Sequence, residues 1–224
     1  SADIPAKDMT ADVTYQVVGG DGKILGEVTT SVAEYAQNLI NSTDSSITSE
    51  QKAFAKAMLN YGGYAQEYFG KNTDDLSNAS LSAADKSLSS VTSSTLTTFK
   101  ASKSGSINGL TYNGSCLILE GTTKISHYFK LTSGQKISDY TFKINGSAVT
   151  PVQDGDFYVV TTDGIEAANL DDNYAVVVTK GGSNFTLNYS ALSYCESALR
   201  ISDKTTLQNV SKALYLYNKA AEKL

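Results

Sequence analysis

Ser31-Val-Ala-Glu-Tyr35-Ala-Gln-Asn-Leu-Ile40 lies over Ser190-Ala-Leu-Ser-Tyr194-Cys-Glu-Ser-Ala-Leu199 at an offset of 159 residues. Further on, Lys56-Ala-Met-Leu-Asn-Tyr61-Gly-Gly-Tyr-Ala65 lies over Lys212-Ala-Leu-Tyr-Leu-Tyr217-Asn-Lys-Ala-Ala221 at an offset of 156. The difference falls between the two matches, where a loop tolerates a change of length. Upstream, Tyr15-Gln-Val-Val18 matches Tyr174-Ala-Val-Val177 at the first offset again. Each copy therefore reads as β-hairpin, helix, loop, helix.

The helices are amphipathic. Phe54, Met58, Tyr61, Ala65 and Tyr68 follow helical spacing, as do Leu207, Val210, Leu214, Tyr217, Ala221 and Leu224. Ser31, Ser190 and Thr48, the last with Gln51 three residues on, mark helix starts. Short loops make each pair an antiparallel hairpin, and a lone hairpin cannot bury its stripe. Residues 31–70 are therefore expected to pack against 190–224 as one helical lobe. Tyr35, Tyr61, Tyr194 and Tyr217 occupy equivalent repeat positions and read as packing residues.

Between the copies the texture changes. Residues 76–106 are rich in Ser and Thr, with a short helix signalled by Ser82 and Asp85. From residue 107 the pattern is β, with candidate strands at 107–112, 115–120, 124–131, 139–144, 157–161, 174–179 and 184–189. Asn113-Gly114, Ser133-Gly134, Asn145-Gly146, Asp154-Gly155, Asp163-Gly164 and Gly181-Gly182 read as the intervening turns. Short strands at this spacing predict an immunoglobulin-like sandwich. The expected fold is α+β: a hairpin and helical pair over 1–84, a connector over 85–106, a β-sandwich over 107–189 and a helical hairpin over 190–224.

The chain has 224 residues and a formal net charge of −5, with no basic cluster, so nucleic acid is not the expected partner. No apolar run is long enough to span a bilayer. One His and two distant Cys exclude a His- or Cys-rich zinc site; Cys116 and Cys195 could pair only where they meet in space, and otherwise read as two small buried hydrophobes. The start, Ser1-Ala2-Asp3, reads as a processed end or an excised piece of a larger chain. No nucleophile elbow, zinc-protease motif, P-loop or dinucleotide fingerprint is present. His127 sits in a strand-like run and reads as a strand-surface residue. Asp154-Gly-Asp156 and Asp171-Asp172-Asn173 read as turns. Neither a catalytic set nor a cofactor is expected.

The strings Ser31-Val-Ala-Glu-Tyr-Ala, Ala57-Met-Leu-Asn-Tyr-Gly-Gly-Tyr-Ala-Gln-Glu-Tyr-Phe-Gly70 with Asn72-Thr-Asp74, Leu192-Ser-Tyr and Lys212-Ala-Leu-Tyr-Leu-Tyr-Asn-Lys-Ala-Ala together resemble a recurring module. Such modules occur in large secreted or cell-surface proteins of gut Clostridia and ruminococci, many of which carry dockerins or cell-wall anchors. The likeness covers about residues 15–224. It implies an extracellular, non-catalytic polysaccharide-binding module of a larger multidomain protein, with starch the first ligand and other plant glycans the second. The alternative is a structural or protein-interaction module.

A sugar ring offers a flat C–H face and a rim of hydroxyls, which an aromatic plate and polar side chains complement. With no Trp and 14 Tyr, tyrosine is the expected platform. Tyr64, beside Gly62-Gly63, and Tyr68 and Tyr215 lie at stripe edges. Tyr112, Tyr128 and Tyr158 lie in or beside strands, and some must face outward. These six are the candidate ligand-binding residues. A cleft between the helical lobe and the sandwich is the expected site, with weak salt dependence for a neutral sugar.

Overall fold

The computed structural model describes residues 3–18, 20 and 22–224. Ser1 and Ala2, the residues on which the processed-end reading rests, lie outside them. The chain is mixed α+β with antiparallel sheets throughout. Strands β1 (Val13–Val18) and β2 (Ile24–Thr30) form an isolated hairpin, followed by α1 (Val32–Asn41) and α2 (Ser49–Phe69). The single turns α3 (Ala83–Lys86) and α4 (Ser93–Leu96) lead into nine strands. These are β3 (Ser102–Gly105), β4 (Leu110–Ile118), β5 (Lys124–Leu131), β6 (Thr141–Ile144), β7 (Ser147–Val149), β8 (Val152–Asp154), β9 (Phe157–Thr161), β10 (Val176–Lys180) and β11 (Ser183–Asn188). Helices α5 (Ala191–Ile201) and α6 (Thr205–Ala221) close the chain.

One sheet has the order β3-β11-β10-β6-β7 and the other β4-β5-β9-β8. Alternation buries Val176 and Val178 of β10 and Ile125 and Phe129 of β5. The two layers meet where the Phe129 ring stands edge-on to Phe142 at 5.4 Å and to Phe185 at 6.2 Å. Asn145 and Gly146 both take positive φ, 48° and 82°, between β6 and β7. That is the hairpin geometry the Asn-Gly pair favours.

Several elements depart from the sequence reading. Asn113-Gly114 is not a turn. The candidate strands on either side of it are one strand, β4, with a bulge between Tyr112 and Gly114. The stretch read as a connector supplies β3, an edge strand on β11, and the buried side chains of Val91 and Leu96. Strands β7 and β8 are too short for periodicity to show. Tyr35 is 66% exposed rather than packed, because α1 buries Ala36 against Ala55, Leu59 and Leu81 and turns its next face outward. Leu224 is exposed too, because α6 ends at Ala221 and the last residues form a turn.

The repeat holds where the second helices meet. Tyr217 stacks between its own repeat equivalent, Tyr61, at 5.4 Å and Phe54 at 5.3 Å. The Thr48–Gln51 capping box and the Ser31, Ser82 and Ser190 caps all form. Behind α2, the loop 71–80 is tied down by buried polar groups. Gln66 Nε2 donates to the Asp75 carbonyl at 2.9 Å, the Ser77 amide donates to Gln66 Oε1 at 2.8 Å, and Asn78 Nδ2 donates to Asn60 Oδ1 at 3.0 Å.

Gly62 and Gly63 serve this loop rather than a ligand. A Cβ on Gly62 would sit 2.6 Å from Met9 Sδ and Ser77 Oγ, and one on Gly63 would overlap the buried Asn78 carboxamide. Gly63→Ala is thus a test of packing against propensity. Alanine gains about 1 kcal/mol in a helix interior, but overpacking and the displaced Asn78–Asn60 bond cost about 2–3 kcal/mol. The expected result is a lower urea midpoint with an unchanged slope. A raised midpoint would mean that the loop yields freely.

Candidate functional site

Only Tyr189 and Ser190 separate β11 from α5, so the helix turns straight back and packs on β4. Two bonds fix its start. Ser190 caps it, and Ser193 Oγ donates to the Phe99 carbonyl at 2.6 Å just before β3. Between α5 and the strands lies a cleft of about 490 Å³. Its walls carry Tyr112 and Ser115 from β4, Tyr189, and Tyr194, Ser197 and Arg200 from α5. Tyr194 and Leu207 also line a narrower depression of about 100 Å³ that contains Tyr68. Tyr112 and Lys103 in turn border a third hollow beside Phe129 and Phe185. The three adjoin at shared lining residues, so Tyr112, Tyr194 and Tyr68 succeed one another along a segmented groove.

The β4 bulge builds the floor. Residues three apart in a regular strand face opposite sides, but the extra residue brings Tyr112 and Ser115 to the same face. There Tyr112 Oη and Ser115 Oγ are 2.5 Å apart, and Ser115 Oγ lies 2.6 Å from His127 Nδ1. Gly114 takes φ 134° in the bulge. His127 is not the strand-surface residue the sequence suggests. It is fully buried, because β5 alternation turns Ile125, His127 and Phe129 inward together. The Tyr189 ring stands perpendicular to the imidazole at 5.2 Å.

Ser115 beside His127 is a hydroxyl next to a base, but the chemistry is weak. Burial pushes the His127 pKa down to about 4, so the imidazole is a poor base. Its Nε2 has no hydrogen-bond partner, so no carboxylate orients it or stabilises a charged form. At neutral pH the trio is a chain of uncharged hydroxyls and an imidazole that holds the groove floor in shape. Burial also raises the phenols of Tyr112 and Tyr189, and that of Tyr194 to about 12. They stay protonated and can donate to a ligand. Cys195, beneath Tyr194, is an inert buried thiol raised by burial to about 12, and both cysteines are free. Among the described residues no group of three His, Cys, Asp or Glu side chains could hold a metal ion.

Of the six sequence candidates, Tyr68 and Tyr112 line this groove. Tyr64 lies on another side of α2 and donates to the Lys86 carbonyl at 3.0 Å. Tyr128 packs edge-on against Phe157 beside the Cys116 thiol, on the opposite face of the four-stranded sheet from Phe129. Tyr158 pairs with Phe129 in register and lines none of the three hollows. Tyr215 packs against Phe99 at 6.4 Å. Sequence reasoning missed Tyr189, Tyr194, Ser115 and Arg200. The repeat position marks Tyr194 as a packing residue, and it does pack half-buried against the core, but it also lines the cleft, whereas its repeat equivalent Tyr35 meets solvent. Comparison with models of known families, with curated proteins and with solved structures finds no match to this chain.

The buried neutral His127 makes stability depend on pH. Its folded pKa, about 4, lies below the ordinary value of 6.5, so the unfolded chain binds the proton more readily. The stabilisation is complete above pH 6.5 and drains as pH falls toward 4, amounting to about 3 kcal/mol. Thermal melts at pH 7.5, 5.5 and 4.5 should show this loss, and His127→Gln should show a flatter profile. Parallel profiles for the two proteins would exclude His127 as the titrating group.

Proposed function

We propose that the chain is a non-catalytic, extracellular polysaccharide-binding module whose site is the groove running past Tyr112, Tyr194 and Tyr68. In this reading the two facing sheets are an immunoglobulin-like sandwich, and α1–α2 and α5–α6 are the two helical hairpins beside it. The observation that carries the proposal is the succession of three tyrosines along adjoining hollows, bordered by Ser115, Ser197 and Ser202. A polymer needs repeated contacts along its length, and each phenol supplies a plate for a sugar face and a hydroxyl for its rim. The resemblance to secreted adhesion modules supports the compartment and makes starch the first glycan to test. The non-catalytic reading is supported by His127, whose lowered basicity and unpartnered Nε2 leave Ser115 without an effective base.

A second reading has one observation in its favour. Val18, Ile24, Leu25 and Val28 of the β1–β2 hairpin and Tyr35 of α1 are all exposed, and exposed apolar side chains on a hairpin edge suit a protein interface.

Native affinity electrophoresis separates the two. In gels containing amylopectin, a soluble cellulose derivative, xylan or an acidic glycan, at least one polymer should retard the protein relative to a polymer-free gel. Tyr194→Ala and Tyr68→Ala should each weaken retardation about tenfold, equivalent to about 1.4 kcal/mol, whereas Tyr215→Ala should not. Equal mobility against neutral and acidic glycans alike would discard the sugar reading in favour of the interface.

A further inference from the structure

The charge around the groove is opposite to that of the chain. The protein carries a net charge of −5, yet the central cleft is lined by Lys100, Lys103 and Arg200, and no Asp or Glu is among its lining residues. Arg200 Nε donates to Glu196 Oε1 at 2.8 Å, so that charge is largely offset. Lys100 and Lys103 have no carboxylate within ion-pair distance among the described residues. Two unpaired cations therefore stand at the wall formed by the approach to β3 and by β3 itself.

Their placement bears on which sugar can stack. Lys103 Nζ lies 5.7 Å from the centre of the Tyr112 ring, and Lys204 Nζ lies 4.7 Å from that of Tyr68. A sugar stacking on the ring face that either ammonium covers must share or displace it. For a neutral sugar that forfeits a cation–π contact of about 0.5–1 kcal/mol per ring. A sugar bearing an anionic group lets the same ammonium turn from the ring to the anion, so stacking and charge pairing support each other. Both terms favour an anion, and a low-dielectric cleft wall strengthens the second.

We propose that the groove selects acidic polysaccharide, with Lys100 and Lys103 pairing the anionic groups and Lys204 meeting the next along the chain at Tyr68. This rests on the glycan-binding reading and specifies its ligand class. It reverses the salt expectation for a neutral sugar: binding should weaken steeply as salt rises. The anion can be a uronate carboxylate or a sulfate ester.

The test uses the same gels with polygalacturonate, dextran sulfate and amylopectin, at 20 and 300 mM NaCl. Because the protein is itself acidic, retardation by a polyanion has to come from a local site rather than from net charge. Each mobility is taken relative to a polymer-free gel, which removes the charge change in the variants. The expected result is retardation by at least one acid polymer, weakened tenfold or more by 300 mM NaCl and by the Lys100→Gln/Lys103→Gln pair, two exposed positions whose replacement leaves the core intact. Polygalacturonate would identify carboxylate as the anion and dextran sulfate would identify sulfate. Retardation by amylopectin alone would overturn the acidic-ligand proposal while leaving glycan binding standing. Retardation by a polyanion that the double variant retains in full would also overturn it. No retardation by any polymer would remove both.

Discussion

The stack of Tyr217 between Tyr61 and Phe54 joins the two ends of the chain. Helices α2 and α6 belong to different repeat copies and are separated in sequence by all nine strands of the paired sheets, and neither helical pair can bury its apolar stripe alone. Joining them fixes where α5 lies, because α5 is held to α6 by a three-residue loop and to β11 by two residues. A helix constrained at both ends cannot lift away from the sheets. The groove is the space left between its outer flank and the strands beneath it. Aromatic pairs of this kind add about 0.5–1.5 kcal/mol beyond the area they bury, but their larger effect is to place α5.

The β4 bulge is the second constraint, and it acts locally. One extra residue at Asn113-Gly114 rotates the strand so that Tyr112 and Ser115 share a face with His127. Without it, one of the two would point away from the groove. The resulting hydrogen-bonded chain holds Tyr112 at a defined height above the floor. The cost is a buried imidazole that must stay neutral, with one nitrogen unpaired. A polar group left in this condition destabilises the fold by roughly 1–3 kcal/mol, so the trio serves the shape of the groove more than the stability of the domain.

The periodic parts were legible in the sequence. Helices α1, α2, α5 and α6 showed a 3.6-residue stripe and side-chain caps at Ser31, Thr48 and Ser190, and β5, β9, β10 and β11 showed alternation with turn residues between them. Both signals are local, set by one face being apolar and by backbone groups needing partners at element ends. The expectation that the two helical pairs meet also came from the sequence, since their stripes had no other cover. Strands β3, β7 and β8 were missed because three or four residues carry too little periodicity.

The proposed site was legible only in kind. A Tyr-rich, Trp-free composition suggested tyrosine plates, and of the six candidate tyrosines Tyr68 and Tyr112 line the groove. What the sequence determined by itself was the inventory of elements, the repeat and the types of side chain available for chemistry. What tertiary structure decided was which of those side chains meet. Asn-Gly makes a tight turn or a bulge according to whether the strands on either side continue with one neighbour, and here β5 pairs along the whole of β4. Tyr35 and Tyr194 are equivalent by repeat, yet only the second has a sheet beneath its flank. His127 is inward because β5 faces a second layer. In each case the deciding contact is with a residue distant in sequence, and no local pattern encodes it.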